Sequence, residues 1–117
     1  MPYSPAGKNL MLDALGAVAV FVSLHDGAPG DNGANEISGG APAYIRKAIT
    51  WNGAAAGSID SSNAPELDVP SSTTVAYVGF WSAESGGTFY GFADVTDEVF
   101  AAQGTYTVAD ADLDLNL

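Results

Sequence analysis

No cysteine occurs among the 117 residues, which excludes a disulfide framework, thiolate catalysis and cysteine-based metal sites, and suits assembly in a reducing cytoplasm. Basic residues are nearly missing as well. Lys8, Arg46 and Lys47 stand against fourteen acids, for a net charge of -11. That charge repels a phosphate backbone and an anionic leaflet, so nucleic acid and membrane surfaces are excluded as partners. Long apolar runs are also lacking: the longest, Leu15 to Val22, has strand length, well short of the roughly 20 residues a spanning helix needs. Lys8 precedes an apolar stretch as in a signal peptide, but Asp13 interrupts the would-be apolar core and no small-residue cleavage pattern follows, so the mature chain is expected to begin near Met1.

What remains is a sequence that should fold: 47% hydrophobic and only 15% charged, outside the composition of disordered chains. Its length matches one domain with one core, expected to span residues 1–117. Ser4 as cap, Pro5 at the first helical position and Gly16 as a left-handed stop predict a helical arm within residues 1–16. Ala6, Leu10, Met11, Ala14 and Leu15 fall on one helical face. That face is expected to pack on a sheet; the alternative is an arm docked on a neighbouring subunit.

From Ala17 to Leu24 the period becomes two, with both faces apolar, as in a central strand. Residues 25–42 are dense in Gly and Pro and read as a long loop, of a kind that is functional or covered by a partner. A second strand is expected over 43–51, at an edge or with a bulge because Arg46 and Lys47 are adjacent. Short strands are expected near 57–59 and 66–69. The strongest hairpin signal is TTVAYVGFWSA (73–83) and TFYGFADV (88–95) around ESGG. Asp97 to Gln103 reads as a connection or a single helical turn, with Asp97 and Glu98 as its first-turn charges. In the last segment Tyr106 and Val108 are out of phase with Leu113, Leu115 and Leu117, which predicts a bulge or break near 109–111. Beyond it Asp110, Asp112 and Asp114 would line a solvent face. Residues 17–117 therefore predict an all-β fold, a β-sandwich or jelly-roll-like barrel with a short N-terminal helix.

Catalytic constellations are not recognisable. His25 is the lone histidine, and its neighbours Ser23 and Asp26 are expected to point alternately up and down the strand, unable to form a relay. No G-x-S-x-G elbow occurs. Asp26, Asp31, Asn32, Asn35 and Glu36 have the composition of a calcium loop without its spacing. No catalytic, cofactor-binding or metal residues are assigned, and the expected role is non-enzymatic. Adjacent aromatics, Phe80 with Trp81 and Phe89 with Tyr90, must face opposite sides, so one of each pair meets solvent, a second layer or a partner. Leu10, Met11, Leu15, Trp81 and Tyr90 are thus the expected contact residues. Apolar residues on both strand faces favour a homo-oligomer such as a trimer, or docking onto a larger lattice.

Several stretches together resemble a family: SPAGKNLMLDAL, VSLHDG, GANEISGG, PAYIRKAITW, VGFWSA, GGTFYGFADVTDEVFAAQGTYTV and ADLDLNL. The chain is similar to short virion proteins of tailed phages of actinobacteria and related prophages, commonly described as tail-fibre or minor virion proteins. The resemblance implies a structural role among other virion proteins, major capsid or tail, and synthesis in the host cytoplasm. It carries over no catalytic residue. The expected function is a capsid decoration or minor capsid protein on the particle exterior. The alternatives are a tail-fibre or baseplate component touching the host surface, including a glycan stacked on Trp81 or Tyr90, and a small glycan-binding or hydrolytic β-sandwich module.

Overall fold

The computed structural model describes residues 3–109 and 111–115. The helix α1 (Pro5–Gly16) forms where expected, with the Ser4 hydroxyl accepting from the Gly7 N–H at 3.1 Å and Pro at its start. Its stop is different. The helix ends on Ala17 in ordinary right-handed geometry, and Gly16 is needed for close approach instead. A Cβ there would lie 3.0 Å from Ile59 Cδ1 and 3.3 Å from Trp51 Cδ1.

The packed face of α1 also differs from the expected stripe. Leu12 is buried and Leu15 packs against the core, whereas Leu10 is 73% exposed and Met11 37%. The helix is turned by its polar ties to the segment around β3 (Ser58–Asp60). Asn9 Oδ1 accepts from the Gly57 N–H at 3.0 Å and Asp13 Oδ1 from the Ala54 N–H at 2.8 Å. These two bonds fix Leu12 inward and leave Leu10 and Met11 outward.

The remaining strands are β1 (Phe21–His25), β2 (Lys47–Ala48), β4 (Glu66–Val69), β5 (Thr73–Trp81), β6 (Phe89–Phe100), β7 (Gly104–Thr107) and β8 (Asp112–Asp114). All pairs are antiparallel. Four strands form one sheet in the order β2-β1-β5-β6, and the ribbons β3-β8 and β4-β7 complete the fold. The chain is all-β with one short N-terminal helix, as the alternation predicted. One face of the four-stranded sheet supplies Val22, Leu24, Val78 and Phe80 to the main core. Ile49, beside Val20 at the sheet edge, joins them, and Leu67 and Val69 of β4, Val108 and Ala111 complete the core. Burial of such side chains, at roughly 25 cal/mol per Å² of apolar surface, is the main force holding the layers together.

β1 is flanked on both sides and buried along its length, which is why both its faces are apolar or satisfied. The hairpin β5-β6 turns through residues 82–88, where Gly86 and Gly87 take positive φ of 65° and 77° that other residues adopt only with strain. The 43–51 segment contributes only the two-residue β2 at the sheet edge. The helical turn expected at 97–103 does not form. Instead β6 runs through Asp97 and Glu98 to Phe100, because Thr73–Val75 at the start of β5 offers Phe100, Val99 and Glu98 a partner. The phase change in the last segment is resolved as two strands with different partners. Tyr106 of β7 pairs with Leu67, and Leu113 of β8 with Ile59. Asp110, within the expected break, lies outside the described residues, as does Leu117.

Candidate functional site

The second face of the four-stranded sheet carries most of the chemistry-bearing side chains. Residues Ser23 and His25 are two apart on β1 and therefore share a face, contrary to the expectation that they point apart. Both are fully buried, and Ser23 Oγ lies 2.7 Å from His25 Nε2. The backbone oxygen of Ala34 is 2.8 Å from Nδ1. Since a carbonyl only accepts, Nδ1 carries the proton, and Nε2 then accepts from the Ser23 hydroxyl. Ser23 Oγ in turn accepts from Trp81 Nε1–H at 2.8 Å. Every donor in this relay has one acceptor.

Such a pair resembles the beginning of a hydrolytic dyad, but its surroundings give it another use. Gly79 presses on it from β5: a Cβ there would lie 2.5 Å from Ser23 Oγ and 2.6 Å from His25 Nε2. The hydroxyl has no open space in which a substrate carbonyl could sit. Asp26 is exposed and acts on the ring only through its charge, a minor influence that raises the His25 pKa. Burial lowers the His25 pKa below its usual value, against the opposing effects of the Ala34 hydrogen bond and the Glu36 charge. The ring is accordingly neutral and structural at pH 7.

Beside it lies a second group that sequence reading did not find. Arg46 is buried and grips Glu36 with both ends of its fork, Nε to Oε2 at 2.8 Å and Nη2 to Oε1 at 2.9 Å. Nη1 donates to the Ala83 carbonyl at 3.0 Å and the Gly86 carbonyl at 2.8 Å, tying the β5-β6 turn to the loop. Tyr44 OH donates to Glu36 Oε2 at 2.7 Å and accepts from the Leu24 N–H at 3.0 Å. Burial pushes the Glu36 carboxyl up, but the hydrogen bonds from Arg46 and Tyr44 and the Arg46 charge prevail and hold it below the usual carboxylate range. Burial, with the Glu36 hydrogen bond, drives the Tyr44 hydroxyl far above its ordinary value. The only available signal was the alternation of Tyr44 and Arg46, two residues apart and hence on one face.

The Arg46 guanidinium also stacks on Trp81, its Cζ 3.6 Å from the ring centroid, a desolvated cation–π contact. Phe89 meets the same ring edge-on at 5.1 Å. From outside, Gly33 of the long loop closes over it with φ of 77°, so near that a Cβ would fall 2.4 Å from Trp81 Cζ2. The loop therefore acts as the second layer over this face. Trp81 is 8% exposed, and its expected role as a surface aromatic is corrected: Arg46, Phe89 and the loop already occupy its faces.

The other expected contact residues divide. Leu10, Met11 and Tyr90 are exposed, Tyr90 at 41%, while Leu15 packs inward. The loop acids do not converge either. Glu36 turns to Arg46, and the Asn35 side chain donates to the Ala28 carbonyl at 3.0 Å. Of the carboxylate ladder, Asp112 accepts from the Ser58 hydroxyl at 2.7 Å, and Asp110 lies outside the described residues. No described helix is long and apolar enough to cross a membrane.

With its polar clusters consumed internally, the molecule offers its surroundings mainly an acidic surface with scattered apolar residues. No curated protein and no solved structure matches the chain. The model of the family described as podophage GP4 fiber I protein gp80 matches residues 10–116, nearly the whole sequence, and the chain belongs to that family of phage fibre proteins.

Proposed function

We propose that the protein is a non-enzymatic building block of a phage fibre on the outside of the virion, at the tail. The family match over residues 10–116 carries this reading and favours it over a capsid decoration or minor capsid role. Burial of Ser23, His25, Arg46 and Trp81 supports the absence of catalysis, since no reactive side chain of that group reaches solvent with spare hydrogen-bonding capacity. The actinobacterial host implied by the sequence resemblance belongs to the same proposal.

In this role the chain works through contacts with other virion proteins and with its own copies. The outward Leu10 and Met11 of α1 are suited to a contact between neighbouring copies in a closed homo-oligomer such as a trimer. Of Trp81 and Tyr90, Tyr90 is the one exposed to a host-surface glycan. Labelling of intact virions with an antibody to this chain, together with its copy number per particle, tests the placement. Label at the tail and a few copies to a few tens are expected; label over the head with hundreds of copies would restore the decoration reading.

A further inference from the structure

β6 is twelve residues long and stands at the end of its sheet, hydrogen-bonded to β5 alone. Among the described residues no backbone group pairs with its other edge. Beside that edge runs a groove of about 410 Å³, bounded across from β6 by the consecutive residues 106–109. On the β6 side residues 93, 94 and 95 all line it. Successive strand residues point to opposite faces, so Ala93 and Asp94 border one space through their backbone edge, and Val95 follows where the register with β5 shifts, three residues of β6 standing opposite Ala76. The floor is apolar, with Val78, Phe80, Val108 and Ala111. β7 pairs with β4 on one side only and leaves β6 unpartnered after the corner at 101–103.

We propose that this edge is a strand-addition site, and that its occupant is an extended segment of a neighbouring virion protein in which apolar and basic residues alternate. Main-chain bonds to a free edge supply affinity, and a groove under alternate side chains supplies selectivity. Apolar side chains of the added strand would enter the groove over Val78 and Phe80. Those on the opposite face would meet Phe92, 43% exposed, and Asp94, while Asp97 and Glu98 follow beyond a shift in the β5 register, Glu98 paired with Val75 and near enough to Tyr106 for its charge to act there. Charge decides between occupants. Two copies of this chain, each at -11, would set these acids of β6 near one another, and acids on an edge strand are a known guard against self-pairing. A basic strand meets no such barrier.

That the segment belongs to a virion neighbour rests on the fibre reading; the edge does not, and the experiment reads the edge alone. The test is hydrogen exchange followed residue by residue on the whole chain, with a blocked octapeptide alternating Val and Lys as probe and one alternating Val and Glu as control. Amides within 90–98 are expected to exchange about tenfold more slowly with the Val–Lys peptide, and to be unaffected by the Val–Glu peptide. Ala93→Phe, which fills the groove, is expected to abolish the protection. Asp94→Lys, at an exposed position that leaves the fold unchanged, is expected to weaken Val–Lys binding by about threefold and to admit the Val–Glu peptide. Absence of protection at 90–98, protection elsewhere, or equal binding of both peptides would overturn the proposal. Protection of 90–98 that grows with protein concentration in the absence of peptide would also overturn it, by assigning the edge to a second copy.

Discussion

Replacing Arg46 with Ala is the sharpest test of how this fold is held together. The ion pair with Glu36 is bidentate, with side chains 8% and 22% exposed, so removal strands a carboxylate that water reaches only in part. Breaking one partner out of a buried pair typically costs about 3–5 kcal/mol, and the lower end applies because Glu36 is partly wet. Loss of the stacked guanidinium from Trp81 adds about 1 kcal/mol. The carbonyls of Ala83 and Gly86 lose a donor but lie in an accessible turn, where water replaces it. The total is about 3–4 kcal/mol, or on the order of 10–15 °C in melting temperature for a chain of this size. Urea unfolding followed by tryptophan fluorescence measures it directly. Arg46→Lys, which keeps the charge but cannot hold Glu36 and two carbonyls at once, should recover less than half the loss. A midpoint for Arg46→Ala equivalent to less than about 1 kcal/mol of destabilisation, with an unchanged denaturant slope, would refute the view that this cluster fastens the loop to the sheet.

Acid sensitivity should begin early. The folded chain holds His25 below its ordinary pKa, so below about pH 6.5 the unfolded chain binds a proton that the folded one refuses, and stability falls by at most about 1.4 kcal/mol per pH unit. Glu36, also held low, adds a further loss below its ordinary range. His25→Gln should flatten the urea midpoint between pH 7 and 5.5; a wild-type midpoint already flat there would contradict the buried neutral ring. Gly33→Ala combines a positive φ with a clash against Trp81 and should cost about 2–4 kcal/mol with a shifted tryptophan emission. Gly30→Ala, whose Cβ would meet nothing closer than 4.0 Å, should cost only about 1 kcal/mol. Leu12→Ala should destabilise by about 2–5 kcal/mol and Leu10→Ser by less than about 0.5 kcal/mol; the reverse order in thermal melts would restore the helix face that the spacing suggested.

Local chemistry alone determined much of this molecule. A cap with a proline after it starts a helix wherever it occurs, and alternation with Gly-rich breaks makes strands, so α1, β5 and the first half of β6 were legible because each needs only its own neighbours. The acidic balance and the missing cysteine were likewise legible without reference to shape. Tertiary structure decided whatever depended on a partner distant in the chain. Leu12 turned inward because Asn9 and Asp13 found backbone donors on 54–57. Asp97 and Glu98 became strand because β5 extended beneath them, and the last segment divided between β3 and β4. Trp81 carried the same apolar signal a surface aromatic would. Only the folding of residues 26–40 back over the sheet, locked by Arg46 and Glu36, made it part of the interior, since a side chain's burial is set by what crosses it and not by the residues beside it.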